Sequence, residues 1–194
     1  ELRQHGFARR MPWTLSAQTA DSAAFTLTDN EETRAAYPFA FHLEAAFIVA
    51  GAALTIAVTL TNSGDRDLPA SFGYHPAFAW PLPGAADKGG HAITFETAEP
   101  APLARLAGGL IAGHDRPSPL IEDTTLPLSD ALFADDALIW DGLNSRSVRY
   151  AGPEGQSLTV AFPDADKLGI WTKPGARFVC IEPWWGIADP AGFA

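Results

Sequence analysis

The chain of 194 residues is long enough to bury a sizeable core and requires no second domain, since single all-β domains reach this size. Lys and Arg number 13 against 23 Asp and Glu, a formal net charge of -10, so the basic footprint that tracks a phosphate backbone is absent and nucleic acid is not an expected partner. The one cysteine, Cys180, excludes an intramolecular disulfide framework and a cysteine-based zinc site, and agrees with a reducing compartment, which makes the cytoplasm the default location.

At the start, Glu1-Leu2-Arg3-Gln4-His5 lacks an initiator Met and the charged-then-apolar plan of a signal peptide. The sequence therefore reads as a cut within a longer chain, and the loop-like end from Pro183 to Ala194 reads the same way. Phe39, Phe41 and Leu43 alternate as a strand, and after a turn at Gly51 a second strand runs from Ala53 to Thr61. In that second strand Leu54, Ile56, Val58 and Leu60 keep the period of two of a half-buried surface, and Asn62-Ser63-Gly64-Asp65 supplies the next turn. The stretch from Pro81 to Leu126, rich in Gly, Ala and Pro, reads as loops around one or two short strands, Ala92–Thr97 among them. Further strands are expected at Ala137–Trp140, Ser157–Phe162, Gly169–Thr172 and Arg177–Ile181. No window carries the apolar stripe of a long helix, and 16 Pro and 17 Gly punctuate the chain. Apolar stretches such as Ala45–Ala53 fall far below the roughly 20 residues that span a bilayer, so no membrane is expected. The reading is a single all-β domain over 1–194, an antiparallel sandwich or barrel.

Three segments concentrate polar chemistry beside aromatic rings: His5 to Trp13, Gly73-Tyr74-His75-Pro76-Ala77-Phe78, and Cys180-Ile181-Glu182-Pro183-Trp184-Trp185-Gly186. Such mixtures suit a sugar, whose C–H patches pack on aromatic faces while its hydroxyls need directional partners. His75 has the residue type of a general acid or base, and equally that of a backbone-satisfied histidine. Glu182 follows Phe178-Val179-Cys180-Ile181 at the end of the expected strand; alternation gives it the face of Cys180 and Phe178, where a carboxylate is unfavourable unless used or paired. A solvated strand-end Glu is the plainer alternative. His42 falls on the polar phase of its strand, and His91 and His114 sit in Gly-rich loops without an acidic pattern nearby. The nucleophile elbow, the phosphate loop, the dinucleotide fingerprint and the H-E-x-x-H zinc motif are all absent, and scattered histidines give no support for a metal site.

Taken in order, these segments resemble the aldose 1-epimerase family, in its divergent bacterial, mutarotase-like branch. Tyr37-Pro38-Phe39, Asn62-Ser63-Gly64 and Leu168-Gly169-Ile170-Trp171-Thr172 extend the resemblance over nearly the whole chain. It implies a galactose mutarotase-like antiparallel β-sandwich, with the sugar in a cleft on one face. It also implies a catalytic acid at His75 and a catalytic base at Glu182, with no cofactor and no metal. Sugar-holding roles fall on His5, on Arg9 beside it and on Trp171. The family's hydroxyl-binding aspartate has its best match at Asp136, with Asp135 the alternative.

The activity implied is interconversion of the α and β anomers of a free aldose through ring opening. Two other classes stand beside it: a carbohydrate-binding or sensing module that keeps the cleft without turnover, and a glycoside hydrolase or lyase. The hydrolase needs two carboxylates about the scissile bond, and only Glu182 has a clear place here. A hexose 6-phosphate would want an Arg or Lys clamp, for which Arg9, Arg10 and Lys173 are available, but the overall negative charge favours a neutral aldose.

Overall fold

A computed structural model describes residues 5–193; residues 1–4 and 194, on which part of the reading of cut ends falls, lie outside the described residues. The chain divides into two compact units, Glu1–Pro69 and Ala70–Ala194.

In the first unit, strands β1 (Thr14–Gln18), β2 (Ser22–Thr28), β3 (Phe41–Ala50) and β4 (Ala53–Asn62) form one antiparallel sheet in chain order. A single helical turn and a half, α1 (Glu31–Ala36), interrupts β2 and β3. Its start is held by a reciprocal cap in which the Asn30 side chain accepts the Thr33 N–H and the Thr33 hydroxyl accepts the Asn30 N–H. Glu31 and Glu32 stand at the positive end of its dipole, and Pro38 follows shortly after its last residue. The β3–β4 hairpin closes through Gly51, whose φ of 60° suits the first central position of a two-residue turn. Leu27, Phe41 and Leu43 are buried beneath Phe7, Trp13, Tyr37 and Val58.

The expected strand over Ala53–Thr61 is present, but its apolar face is not uniformly half-buried. Leu43 and Ala45 are covered, whereas Val49 and Leu54, paired beside the hairpin tip, are 51% and 59% exposed, and Leu15 is 50% exposed. Nearer the other end of the sheet the two segments named in the sequence pattern meet: the Arg66 guanidinium lies 5.2 Å over the Phe39 ring and donates to the Pro38 carbonyl, while Asn62 accepts from the Gly64 N–H.

The second unit is a sandwich of two antiparallel sheets. It contains β5 (Phe72–Gly73), β6 (Ala77–Ala79), β7 (Ala92–Phe95), β8 (Leu103–Ala107), β9 (Leu110–Arg116), β10 (Thr125–Pro127), β11 (Leu138–Asp141), β12 (Ser147–Ala151), β13 (Ser157–Ala161), β14 (Lys167–Trp171) and β15 (Phe178–Trp185). The smaller sheet runs β10-β7-β12-β13; the larger runs β5-β15-β14-β11-β8-β9, with β6 also paired to β15. Between them lies the main core, with Ile93, Phe95, Val148 and Tyr150 from one side and Leu138, Trp140, Leu168, Ile170, Val179 and Ile181 from the other. Because side chains alternate along a strand, burying Leu168, Ile170, Val179 and Ile181 turns Gly169, Trp171, Cys180 and Glu182 to the opposite face of the larger sheet.

Two expectations change here. The stretch Pro81–Leu126 holds three strands and the start of a fourth, because Gly108-Gly109, with φ of 61° and 82°, closes a tight β8–β9 hairpin in a segment whose Ala and Gly content masks the strand pattern. The final strand continues through Trp185, so Glu182 is an interior strand residue, although Pro183 cannot donate to a ladder. Among the described residues, no helix is long and apolar enough to cross a membrane.

Candidate active site

Strands β5 and β6 are two pieces of one interrupted strand along β15. Gly73 pairs with Trp184 on one side of the interruption and Ala77 with Cys180 on the other, in unchanged register, so His75 stands directly opposite Glu182. The interruption follows from two prolines. In the flanking pairs the Tyr74 N–H reaches the Pro183 carbonyl at 3.0 Å and the Ile181 N–H reaches the Pro76 carbonyl at 3.3 Å, while the reciprocal bonds would need N–H groups that Pro183 and Pro76 lack. His75 and Glu182 thus occupy the position between two half-made hydrogen-bonded pairs, where side chains of facing residues come closest.

The two groups differ in environment. The Glu182 side chain is 5% exposed and that of His75 is 41% exposed, with the imidazole Nδ1 3.3 Å from Glu182 Oε1. Burial pushes the Glu182 carboxyl up from 4.5 to about 7, and hydrogen bonds from the Trp184 and Cys180 side chains hold it from rising further. Burial, reinforced by the neighbouring carboxylate, pushes the Cys180 thiol up to about 12. Trp171, opposite Cys180 on β14, lies near-perpendicular to the His75 ring at 6.5 Å between centroids and packs 5.9 Å from Phe178. On the other side of Glu182, the Trp184 indole lies across the backbones of Gly73 and Gly169; a Cβ at either glycine would collide with it.

His75, Cys180 and Glu182 also form a mixed donor set, one nitrogen, one sulfur and one oxygen within 4.8 Å of one another, the one such trio among the described residues. A single cysteine thus does not by itself exclude a sulfur donor from a metal site. Metal ligation requires the thiolate and the carboxylate, however, and burial favours the neutral form of both, which suits proton transfer better than coordination.

The other sequence candidates lie on other segments of the chain. Asp136 stands exposed in the turn before β11, at φ 74°, with its carboxylate accepting the Ala137 N–H; Asp135 is exposed beside it. His5, at φ 65°, and Arg9, in a 3-10 turn over Ala8–Arg10, belong to the first unit, and both are exposed. His42 lies on the non-core phase of β3. His91 is buried and accepts the Leu82 N–H, a structural role. His114 is a strand residue of β9 rather than a loop residue, and its Nε2 lies 2.9 Å from Asp141, which also holds Lys167 at 3.2 Å. The sequence pattern had not singled out Trp184, although its place two residues from Glu182 on an alternating strand puts it on the same face.

The second unit is thus an antiparallel sandwich whose larger sheet carries a facing His–Glu pair flanked by tryptophans. The family model described as aldose 1-epimerase matches residues 1–186, and the chain belongs to that family. It is 30% identical over 192 residues to the chromosomally encoded protein LacX of Lactococcus lactis subsp. lactis, covering 96% of this chain and 64% of that protein. Its fold matches a galactose mutarotase related enzyme from Lactobacillus acidophilus with a TM-score of 0.90 and 32% identity, over 99% of this chain and 65% of that one. A galactose mutarotase-like protein from Lactobacillus casei gives a TM-score of 0.87 and 28% identity, over 99% of this chain and 67% of that one. The chain therefore spans about two thirds of the length of these relatives. The galactose mutarotase-like antiparallel β fold expected from the sequence is the fold observed.

Proposed function

We propose that the protein is a cofactor-independent aldose 1-epimerase, which interconverts the α and β anomers of a free aldose by acid–base catalysis. The observation that carries this reading is the facing pair itself: a buried carboxyl at about 7 beside a half-exposed imidazole 3.3 Å away, on the face of the larger sheet opposite the main core.

Mutarotation needs a base for the anomeric O1 proton and an acid for the ring oxygen. Glu182, poised near neutrality, takes the O1 proton as His75 protonates the ring oxygen; the C1–ring-oxygen bond breaks and the open-chain aldehyde forms. Rotation about C1–C2 presents the other face of the aldehyde, and closure returns both protons in the reverse direction. No group is consumed. Trp171, beside His75, offers an aromatic face to the sugar's C–H surface. Sugar-holding roles for His5, Arg9 and Asp136 rest on the family resemblance, while the single-domain organisation of 1–194 rests on chain length and the cytoplasmic location on the single cysteine. A neutral substrate is preferred to a hexose 6-phosphate because Lys167, the cation on the site face of β14, is already tied to Asp141 and Asp166 at 3.2 Å each.

The test is anomer exchange by the full-length protein, followed by NMR on a panel of free and 6-phosphorylated aldoses. Exchange of free sugars above the spontaneous rate supports the assignment. Saturable binding without exchange would replace it with the sugar-sensing alternative, and exchange confined to the phosphorylated sugars would replace the substrate class.

A further inference from the structure

We infer that Trp184 is a positioning residue for the proposed base: its indole, pressed flat across two glycines, uses its N–H to fix the Glu182 carboxylate facing His75. The inference rests on the acid–base reading of the pair, but its geometry stands apart from that reading. Glu182 lies between Cys180 and Trp184 on one face of β15, and the Trp184 indole crosses from Gly73 to Gly169, the pair partner of Glu182, so the ring passes beside the carboxylate. Indole has a single donor, Nε1–H, and no acceptor, so the polar group that Trp184 offers the carboxylate is an N–H.

The ring has little freedom. Its five-membered ring lies over Gly73, its own pair partner on β5, and its six-membered ring over Gly169, the pair partner of Glu182 on β14. Ile139 and Ala104 pack in the same cluster beside it. Glycine at both positions is what lets the ring lie against the sheet, since a methyl at either would lift it and draw the N–H from the carboxylate. The titratable groups facing Glu182 are His75 from the interrupted strand and Cys180 from β15 itself; β14 presents Gly169 opposite, with Lys167, held by Asp141 and Asp166, one pair further along. A donor aimed at the carboxylate favours its charged, proton-accepting form.

The experiment replaces Trp184 by benzothienylalanine, which keeps the bicyclic shape and exchanges the N–H for sulfur, and in parallel makes Trp184→Phe and Gly169→Ala in the full-length protein. The Glu182 carboxyl titration, read by 13C NMR with label in glutamate and Glu182→Gln for assignment, should move up by about one pH unit in each variant. The anomer-exchange kcat should fall by about tenfold with a smaller change in KM. An unshifted titration in the benzothienylalanine protein overturns the inference whether or not the enzyme turns over. Absence of exchange in the parent protein, with a shifted titration, would instead remove the epimerase reading and leave the positioning role standing.

Discussion

Glu182 is under two opposing demands, because the sheet face that suits it to the proposed role of base also makes its charge unfavourable. Its folded carboxyl sits near 7 rather than 4.5, so between those values the folded state holds a proton that the unfolded chain has released. Stability is therefore fullest below about 4.5 and falls as pH rises through about 7, by at most about 3 kcal/mol from this group. Glu182→Gln should flatten that slope and melt higher than the parent at pH 8, as thermal denaturation across pH will reveal; equal melting profiles would place the carboxylate in a more solvated setting. For activity the sign reverses: kcat/KM should rise with pH through about 7 as the base ionises. His75→Ala and Glu182→Ala should each lower anomer exchange by about 10² to 10⁴, in both directions alike, since each group acts once in ring opening and once in closure.

At the scale of the element, strand β15 serves two faces with one sequence. Ile181 is fully buried in the main core, while Glu182 turns to the site, so Ile181→Ala should lower stability by about 2–5 kcal/mol and leave the kcat of the folded fraction close to that of the parent. Denaturant unfolding and exchange kinetics on the same sample check both halves of that statement. Strand β4 was legible because Leu54, Ile56, Val58 and Leu60 alternate without interruption, and Glu182 could be given the face of Cys180 and Phe178 by the same rule. Strands β8 and β9 were not, because Ala and Gly carry no alternation and the two strands are held by their pairing with each other. Nor was the facing of His75 and Glu182: the alternation fixes a side chain's face, but which strands lie side by side is settled by tertiary packing. The matching His-Pro and Glu-Pro dipeptides were the available signal, since a proline opposite a strand marks where its ladder is thinned.

Over the whole molecule, membership of the aldose 1-epimerase family and the sandwich of the second unit agree with the segment order in the sequence, while the sugar-binding residues of the first unit stay within the proposal. The tip of the β3–β4 hairpin has a practical meaning. Val49, Leu54 and Leu15 present apolar surface to water, and such surface recruits other surfaces like it. Residues 1–194 produced alone should brighten a hydrophobic dye and elute from gel filtration above the monomer size, and Val49→Thr with Leu54→Thr should reduce both signals without loss of strand content by circular dichroism. Unaltered dye fluorescence in the double variant would place the stickiness elsewhere. The hairpin tip is accordingly the place to add solubilising substitutions when the chain is prepared for crystallography or NMR, since it lies in the sequence far from His75 and Glu182.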